Sequence, residues 1–203
     1  MNDNAKTARK LDEHQQSAKM FENPVLERLR KSHIAVPISI FVIISIGLLV
    51  YATSTTSIPA TTTIGLFFVG IFVFTLVEYV VHKEVYHAKT DSLLKQGHTF
   101  HHEYPKQRSF LAMPPIMSVI TAIVLFLLFR LILNDYSFSF LAGFLLAYAG
   151  YLVIHAITHI YKPPKNFLKI WWKHHLVHHY NDKVNFGVTS PFWDHIFGTV
   201  EKK

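Results

Sequence analysis

The chain has 203 residues, half of them apolar, and a formal net charge of +7 at pH 7. This length leaves room for one domain, and the apolar share makes a membrane protein the first class to test. Cysteine is absent, which excludes a disulfide framework, thiolate metal ligands and a cysteine nucleophile.

The first segment, residues 1–33, is polar. Apolar side chains recur near its end at helical spacing, and these are Met20, Phe21, Val25, Leu26 and Leu29. This pattern predicts an interfacial amphipathic helix. Because the polar stretch precedes the first apolar run and no small-residue cleavage pattern follows that run, an ordinary signal peptide is not expected. We predict a cytoplasmic interfacial segment over 1–33 and a membrane domain over 34–203.

Four apolar runs follow, and each approaches the roughly 20 residues that a helix needs to cross the hydrocarbon layer. They cover residues 34–52, 63–81, 114–133 and 138–157. Helices in soluble cores are rarely so long with so few titratable residues. The sequence therefore predicts an all-α integral membrane protein, a four-helix transmembrane bundle with a histidine-rich helical cap.

The basic residues predict which side of the membrane carries the cap. Four crossings return the chain to its starting side, so residues 1–33, 82–113 and 158–203 share one compartment. All of the 20 Lys and Arg residues except Arg130 lie in these three segments. The positive-inside rule assigns that compartment to the cytoplasm, with both termini. Attraction of basic flanks to anionic lipid accounts for the net charge, and no nucleic-acid partner is expected.

Histidine is in excess, with 14 residues, and ten of them fall into four short motifs. The motifs are HKEVYH with His82 and His87, HTFHH with His98, His101 and His102, HAITH with His155 and His159, and HLVHH with His175, His178 and His179. Helical positions i, i+3 and i+4 share a face, so each HxxHH motif, like the HAITH pair, directs its imidazoles toward one point. The first pair, five residues apart, diverges on an ideal helix. All four motifs lie at or just beyond helix ends on the cytoplasmic side, which predicts a single site.

The number of imidazoles indicates two metal ions. Imidazole binds iron, zinc and copper well, and one ion takes about four to six ligands. Glu78 lies one turn before the first motif and is predicted to accept the N–H of a ligand histidine. His14, His33 and His195 have no motif partners, and His174 breaks the spacing of its neighbours, so it is expected to point away from the metal.

The order HxxxxH, HxxHH, HxxxH and HxxHH resembles the fatty acid hydroxylase and sterol desaturase superfamily. The stretches HHEYPKQRSFLAMPP (101–115) and HHLVHHYNDKVNFGVTSPFWDHIFGT (174–199) are similar to the sphingolipid fatty acid 2-hydroxylases, the branch that the chain resembles most. The resemblance covers about residues 64–200 and implies that 34–203 form a fatty acid hydroxylase membrane domain. All ten clustered histidines fall on ligand positions of the family.

The resemblance implies a diiron, O2-dependent oxidoreductase of monooxygenase type that hydroxylates lipid acyl chains at the carbon beside the carbonyl. Its implied cofactors are two metal ions, expected to be iron, with zinc as a substitute in isolated protein. The first 33 residues are too few for a fused cytochrome b5 domain, so a separate electron donor of cytochrome b5 or ferredoxin type is expected. Phe74, Tyr148 and Tyr151 are candidates for an apolar acyl slot, although ordinary helix packing or lipid contact explains each of them at least as well. Residues 191–198 are a candidate cover over the site, although ordinary packing is the preferred interpretation there.

Other functions remain open at this point. The same histidine set can serve a sterol or carotenoid oxidase or a desaturase, because the metal site alone does not fix the product. Outside the enzymes, a multi-haem cytochrome needs axial histidines paired inside the bilayer, and a histidine-rich metal transporter needs polar groups along its crossings. The sequence shows neither pattern.

Overall fold

Helices make up the regular structure of residues 18–202, the part of the chain that the computed structural model describes. In chain order they are α1 (Pro24–Arg30), α2 (Ala35–Thr55), α3 (Ala60–Val81), α4 (Leu93–Glu103), α5 (Pro115–Leu133), α6 (Tyr136–Ile160), α7 (Lys169–Tyr180) and α8 (Phe192–Phe197). A π-helical turn (His82–Tyr86) continues α3, and a 3-10 turn (Arg108–Phe110) precedes α5. The all-α prediction is confirmed.

Helices α2, α3, α5 and α6 are long and apolar enough to cross a membrane, which confirms the four predicted crossings. The helix α6 is the centre of the bundle and packs against the other three. Large apolar side chains such as Ile43, Phe68 and Leu131 remain exposed on the outer faces. A surface of this kind is unfavourable in water and suits contact with lipid, so the chain is an integral membrane protein.

The backbones of α3 and α6 touch at two glycines. A Cβ atom placed on Gly70 would overlap the carbonyl oxygen of Phe140, and one on Gly143 would overlap the carbonyl oxygen of Phe67. Small residues allow this close approach, as they do in many membrane helix pairs. The contact brings together the two helices that carry the first and third histidine motifs.

The helix α1 lies against the turn before α5. Asn23 caps its first turn by accepting from the backbone N–H groups of Val25 and Leu26. Arg30 donates to the carbonyl of Ser109 over 3.1 Å and lies 3.9 Å above the ring of Phe110. The helix is shorter than the amphipathic pattern, because Met20 and Phe21 lie before the cap, where their backbone N–H groups donate to Glu27.

The outer face of α1 keeps the apolar side chains that suggested an interfacial helix. Val25, Leu26 and Leu29 are exposed. The boundary between residues 33 and 34 stays a prediction, and His14 lies outside the described residues.

Candidate metal centre

The ten motif histidines form two groups, each able to place one ring nitrogen per residue within 4.8 Å of the other four. The first cluster is His82, His87, His98, His102 and His178. The second cluster is His101, His155, His159, His175 and His179. The clusters adjoin, since the rings of His102 and His179 stack with centroids 4.1 Å apart. Residues separated by as many as 97 positions thus meet at one end of the bundle, as the topology predicted.

The π-helical turn explains how His82 and His87 converge. Five residues separate the two side chains, and a regular α-helix would point them in different directions. A π turn has i to i+5 hydrogen bonding, so it returns to the same face after about five residues. The two ring centroids lie 5.3 Å apart. The expected divergence is therefore absent, because the helix changes its winding at this motif.

Each HxxHH motif is divided between the clusters. His98 and His102, four residues apart on α4, enter the first cluster, while His101 enters the second. The helix α7 does the reverse, giving two rings to the second cluster and His178 to the first. The prediction that each motif directs three rings to one point was therefore too simple. Side chains at i and i+3 flank opposite sides of the shared face, and a different histidine cluster lies on each side.

Short distances between Nε2 atoms test whether the clusters fit metal ions. In the first cluster His82 and His98 approach to 3.1 Å, and in the second His159 and His175 approach to 2.8 Å. Two histidine nitrogens bound at right angles to one ion, with bonds of about 2.1 Å, lie about 3.0 Å apart. The donor type and the spacing both fit a metal ion in each cluster.

Backbone carbonyls orient three of the rings through their other nitrogen. His82 Nδ1 contacts the Phe186 oxygen at 2.5 Å, and His178 Nδ1 contacts the Val184 oxygen at 2.8 Å. In the second cluster His155 Nδ1 contacts the Leu111 oxygen at 3.1 Å. Because a carbonyl only accepts, each Nδ1 carries the proton and each Nε2 presents a lone pair. This tautomer is the one that binds a metal ion through Nε2.

Burial keeps the rings beyond the membrane-spanning segments neutral. It lowers the pKa of His102 from 6.5 to about 4 and that of His178 from 6.5 to about 3. Burial, followed by repulsion from neighbouring imidazoles, holds the pKa of His98, His101 and His175 well below 6.5. A histidine must be unprotonated to bind a metal, so these rings are ready ligands at neutral pH.

Glu78 was predicted to accept the N–H of a ligand histidine, but its carboxylate accepts from the loop after α7 instead. Its carboxylate accepts from the backbone N–H groups of Val188 and Thr189, at 2.5 and 3.0 Å, and from the Thr189 hydroxyl. No histidine contact of this carboxylate is recorded within residues 18–202. Glu78 therefore acts on the loop that follows α7, which in turn contacts His82.

The remaining histidines lie apart from the clusters. His174 donates from Nε2 to the buried Asp194 carboxylate over 2.9 Å, so it faces away from the other imidazoles, as its spacing predicted. His33 and His195 are exposed. The sequence did not single out Asp194, which was noted only as part of the second resembling stretch and of the candidate cover at residues 191–198.

The fold and the site define a membrane-embedded helical protein with a paired histidine centre at one end of its bundle. The sequence pattern of the family described as "Fatty acid hydroxylase" matches residues 67–199, about two thirds of the chain, and contains all ten clustered histidines. The chain belongs to the fatty acid hydroxylase family.

Several curated proteins are similar to this chain. The ceramide very long chain fatty acid hydroxylase SCS7 of Saccharomyces cerevisiae is 38% identical over 146 residues, 66% of this chain and 37% of that protein. The fatty acid 2-hydroxylase of Rattus norvegicus is 33% identical over 70% of this chain and 41% of its own length. The dihydroceramide fatty acyl 2-hydroxylase FAH1 of Arabidopsis thaliana is 34% identical over 64% of this chain and 58% of its own length. The chain thus matches between 37% and 58% of the length of these relatives.

A solved structure shares the fold. It is full-length scs7p with only the hydroxylase domain visible, and it superposes with a TM-score of 0.78 at 30% identity. The superposition covers 90% of this chain and 72% of that one. The likeness therefore extends beyond the histidine motifs to the arrangement of the helices.

Proposed function

We propose that this chain is an O2-dependent hydroxylase that adds one oxygen atom to a lipid acyl chain, at the carbon next to the carbonyl. The observation that carries the proposal is the meeting of ten imidazole nitrogens in two adjoining clusters at the end of an apolar bundle. The relatives are acyl or fatty acid 2-hydroxylases and ceramide fatty acid hydroxylases, and their names support both the reaction and the lipid substrate.

All ten histidines are proposed as metal ligands, five for each of two ions. Iron is the proposed metal, and zinc suits the same imidazole donors in isolated protein. Two bound iron ions would supply the O2 activation and C–H oxidation that no side chain can perform. The chain's own part is to hold neutral imidazoles in place and to shield them from solvent. His101, His175 and His178 are at most 2% exposed.

The balanced reaction requires a reductant. One C–H bond becomes C–OH, the second oxygen atom leaves as water, and two electrons and two protons are consumed. We propose that a separate carrier of cytochrome b5 or ferredoxin type supplies the electrons. The positive charge of the segments beside the clusters supports a cytoplasmic location for this exchange.

A row of aromatic side chains supports an acyl slot beside the second cluster. The Tyr151 ring stacks on His155 with centroids 5.5 Å apart, and Tyr148 stacks on Phe74 at the same centroid distance. These residues lie on α3 and α6, where the bundle meets the imidazoles. An apolar wall with few polar groups suits an acyl chain, so we propose that the substrate approaches from the membrane along this row.

Lipid mass spectrometry of cells that express the chain tests the proposal. Wild type should add one oxygen to acyl chains at C2, and His179→Ala should not. The matched control is His195→Ala, which removes an exposed imidazole outside both clusters and should leave the product unchanged. Loss of two hydrogens from the lipid would indicate a desaturase, and an oxidised sterol or carotenoid would indicate another branch. Wild type that forms no hydroxylated acyl chain with a working reductant contradicts the proposal.

A further inference from the structure

The loop between α7 and α8 touches the first cluster at two points. We call residues 184–189 the anchoring loop. Its Val184 oxygen contacts His178 Nδ1 at 2.8 Å, and its Phe186 oxygen contacts His82 Nδ1 at 2.5 Å. The position of this loop therefore sets the direction in which two of the five Nε2 atoms of the first cluster point.

Two buried carboxylates hold the anchoring loop by four consecutive backbone amides. Asp194 accepts from the N–H groups of Phe186 and Gly187, both at 2.8 Å. Glu78, on the transmembrane helix α3, accepts from Val188 and Thr189. Hydrogen bonds to a charged acceptor such as the Asp194 carboxylate are stronger than neutral ones. The loop is thus held by Asp194 at one end and by Glu78 at the other.

The Asp194 carboxylate is buried and also accepts hydrogen bonds from outside the anchoring loop. It is 0% exposed and accepts from Thr199 Oγ1 at 2.7 Å, and its second oxygen lies 2.9 Å from His174 Nε2. Burial raises its pKa, but the hydrogen bonds from His174, Thr199 and the loop amides outweigh burial, so its pKa is below 3.8. A Cβ atom on Gly187 would overlap the Ser190 oxygen and lie 2.9 Å from the carboxylate, which leaves no room for a side chain at this contact.

The second cluster has no equivalent support within residues 18–202. Only His155 among its rings has a recorded backbone carbonyl partner, Leu111, which lies before α5. The Nδ1 atoms of His101, His175 and His179 are buried without a hydrogen-bond partner. The two clusters therefore differ in how their rings are oriented.

We propose that Asp194 and Glu78 are positioning residues for the first cluster, holding the anchoring loop so that its carbonyls aim His82 and His178 at one ion and not the other. The inference rests on the proposed function, because it takes both clusters as metal sites. Neither carboxylate touches a metal ligand, and each acts through loop amides and then through a carbonyl.

The test is a Co2+ titration of the full chain, purified in detergent, with metal content and the visible absorption of Co2+ as readouts. Wild type should bind two ions. Asp194→Asn keeps the shape but replaces one acceptor oxygen with a donor, so it should bind one ion as wild type does and the other about 10- to 100-fold more weakly. Glu78→Gln should weaken the same ion. His178→Ala and His175→Ala identify the spectrum of the first and second clusters.

The matched control is Ser45→Ala, which removes one buried hydrogen bond, from Ser45 Oγ to the Ala142 oxygen at 2.7 Å, on helices away from the anchoring loop. It should bind both ions normally. The inference is overturned if Asp194→Asn keeps both affinities, weakens both equally, or loses the ion that His175→Ala loses. If Asp194→Asn is not recovered folded, the Glu78→Gln variant is measured in its place, and the same three results overturn the inference. Wild type that binds no Co2+ overturns the metal-site proposal itself, a result distinct from these.

Discussion

Replacing Gly70 by alanine tests whether the contact between α3 and α6 holds the bundle together. The added Cβ would overlap the Phe140 oxygen and lie 3.0 Å from both the Phe140 carbon and the Phe144 nitrogen. Ordinary contacts begin at 3.4 Å, and all three obstacles are backbone atoms, so rotation of a side chain gives no relief. The two helices must separate instead.

The expected loss in the free energy of unfolding of Gly70→Ala follows from two opposing effects. Overpacking of a tight interface costs about 1–3 kcal/mol, with a backbone clash at the upper end, while alanine gains about 0.5–1 kcal/mol over glycine inside a helix. The net loss is about 2 kcal/mol, which for a chain of this size lowers Tm by about 4–8 °C. Since α3 leads into His82 and α6 carries His155, separation should also reduce bound metal.

The assay is thermal denaturation in detergent, followed by the fraction that remains monodisperse on size exclusion, with metal content measured in parallel. The control is Gly65→Ala on the same helix, where a Cβ meets nothing within 4 Å. It should be neutral or slightly more stable than wild type. If Gly70→Ala proves as stable as Gly65→Ala, the close approach of the two helices is not a stabilising contact.

Three further outcomes are expected. Removing metal from loaded protein with a chelator should lower the free energy of unfolding, by about 2.7 kcal/mol for each ion whose free concentration had stood at 100 times its Kd; an unchanged Tm would mean that no ion was bound. Glu27, held by Arg30, has a pKa lowered from 4.5 to about 2, since that hydrogen bond and backbone donors outweigh burial. Its stabilising contribution is therefore present above pH 4.5 and lost as pH falls toward 2, so the Tm difference between wild type and Glu27→Gln should shrink over that range; a constant difference would contradict the assignment. Trp172→Phe removes a 2.8 Å hydrogen bond to the Tyr161 oxygen and should cost about 1 kcal/mol in thermal denaturation, whereas an unchanged Tm would show that water replaces it.

The four crossings were predictable because hydrophobic length is a property of contiguous sequence. Their ends moved by at most three residues. For example, α3 begins at Ala60 because its threonine-rich first turn lowers the hydropathy there. The ten histidines were predictable for the same reason, since each motif is local.

The motifs did not predict which of the two clusters each imidazole ring joins. Spacing on one helix defines a face but does not say which neighbour that face meets. The assignment of His101 and His178 to opposite clusters depends on how the histidine rings of α4 and α7 meet in the structure. The convergence of His82 and His87 required a π turn, which residue spacing alone does not reveal. The supporting role of Asp194 was hidden because it acts on backbone amides, which every sequence position possesses.

Because α4 and α7 each give rings to both clusters, the order of synthesis affects when the clusters can form. The first cluster lacks His178, and the second lacks His175 and His179, until α7 has left the ribosome. Neither set of proposed ligands is therefore complete before all four apolar helices have been made. Neighbouring residues on α7 also belong to opposite clusters, so turning that helix toward one cluster would draw its rings away from the other. The spacing of the two clusters is thereby tied to the orientation of a single helix.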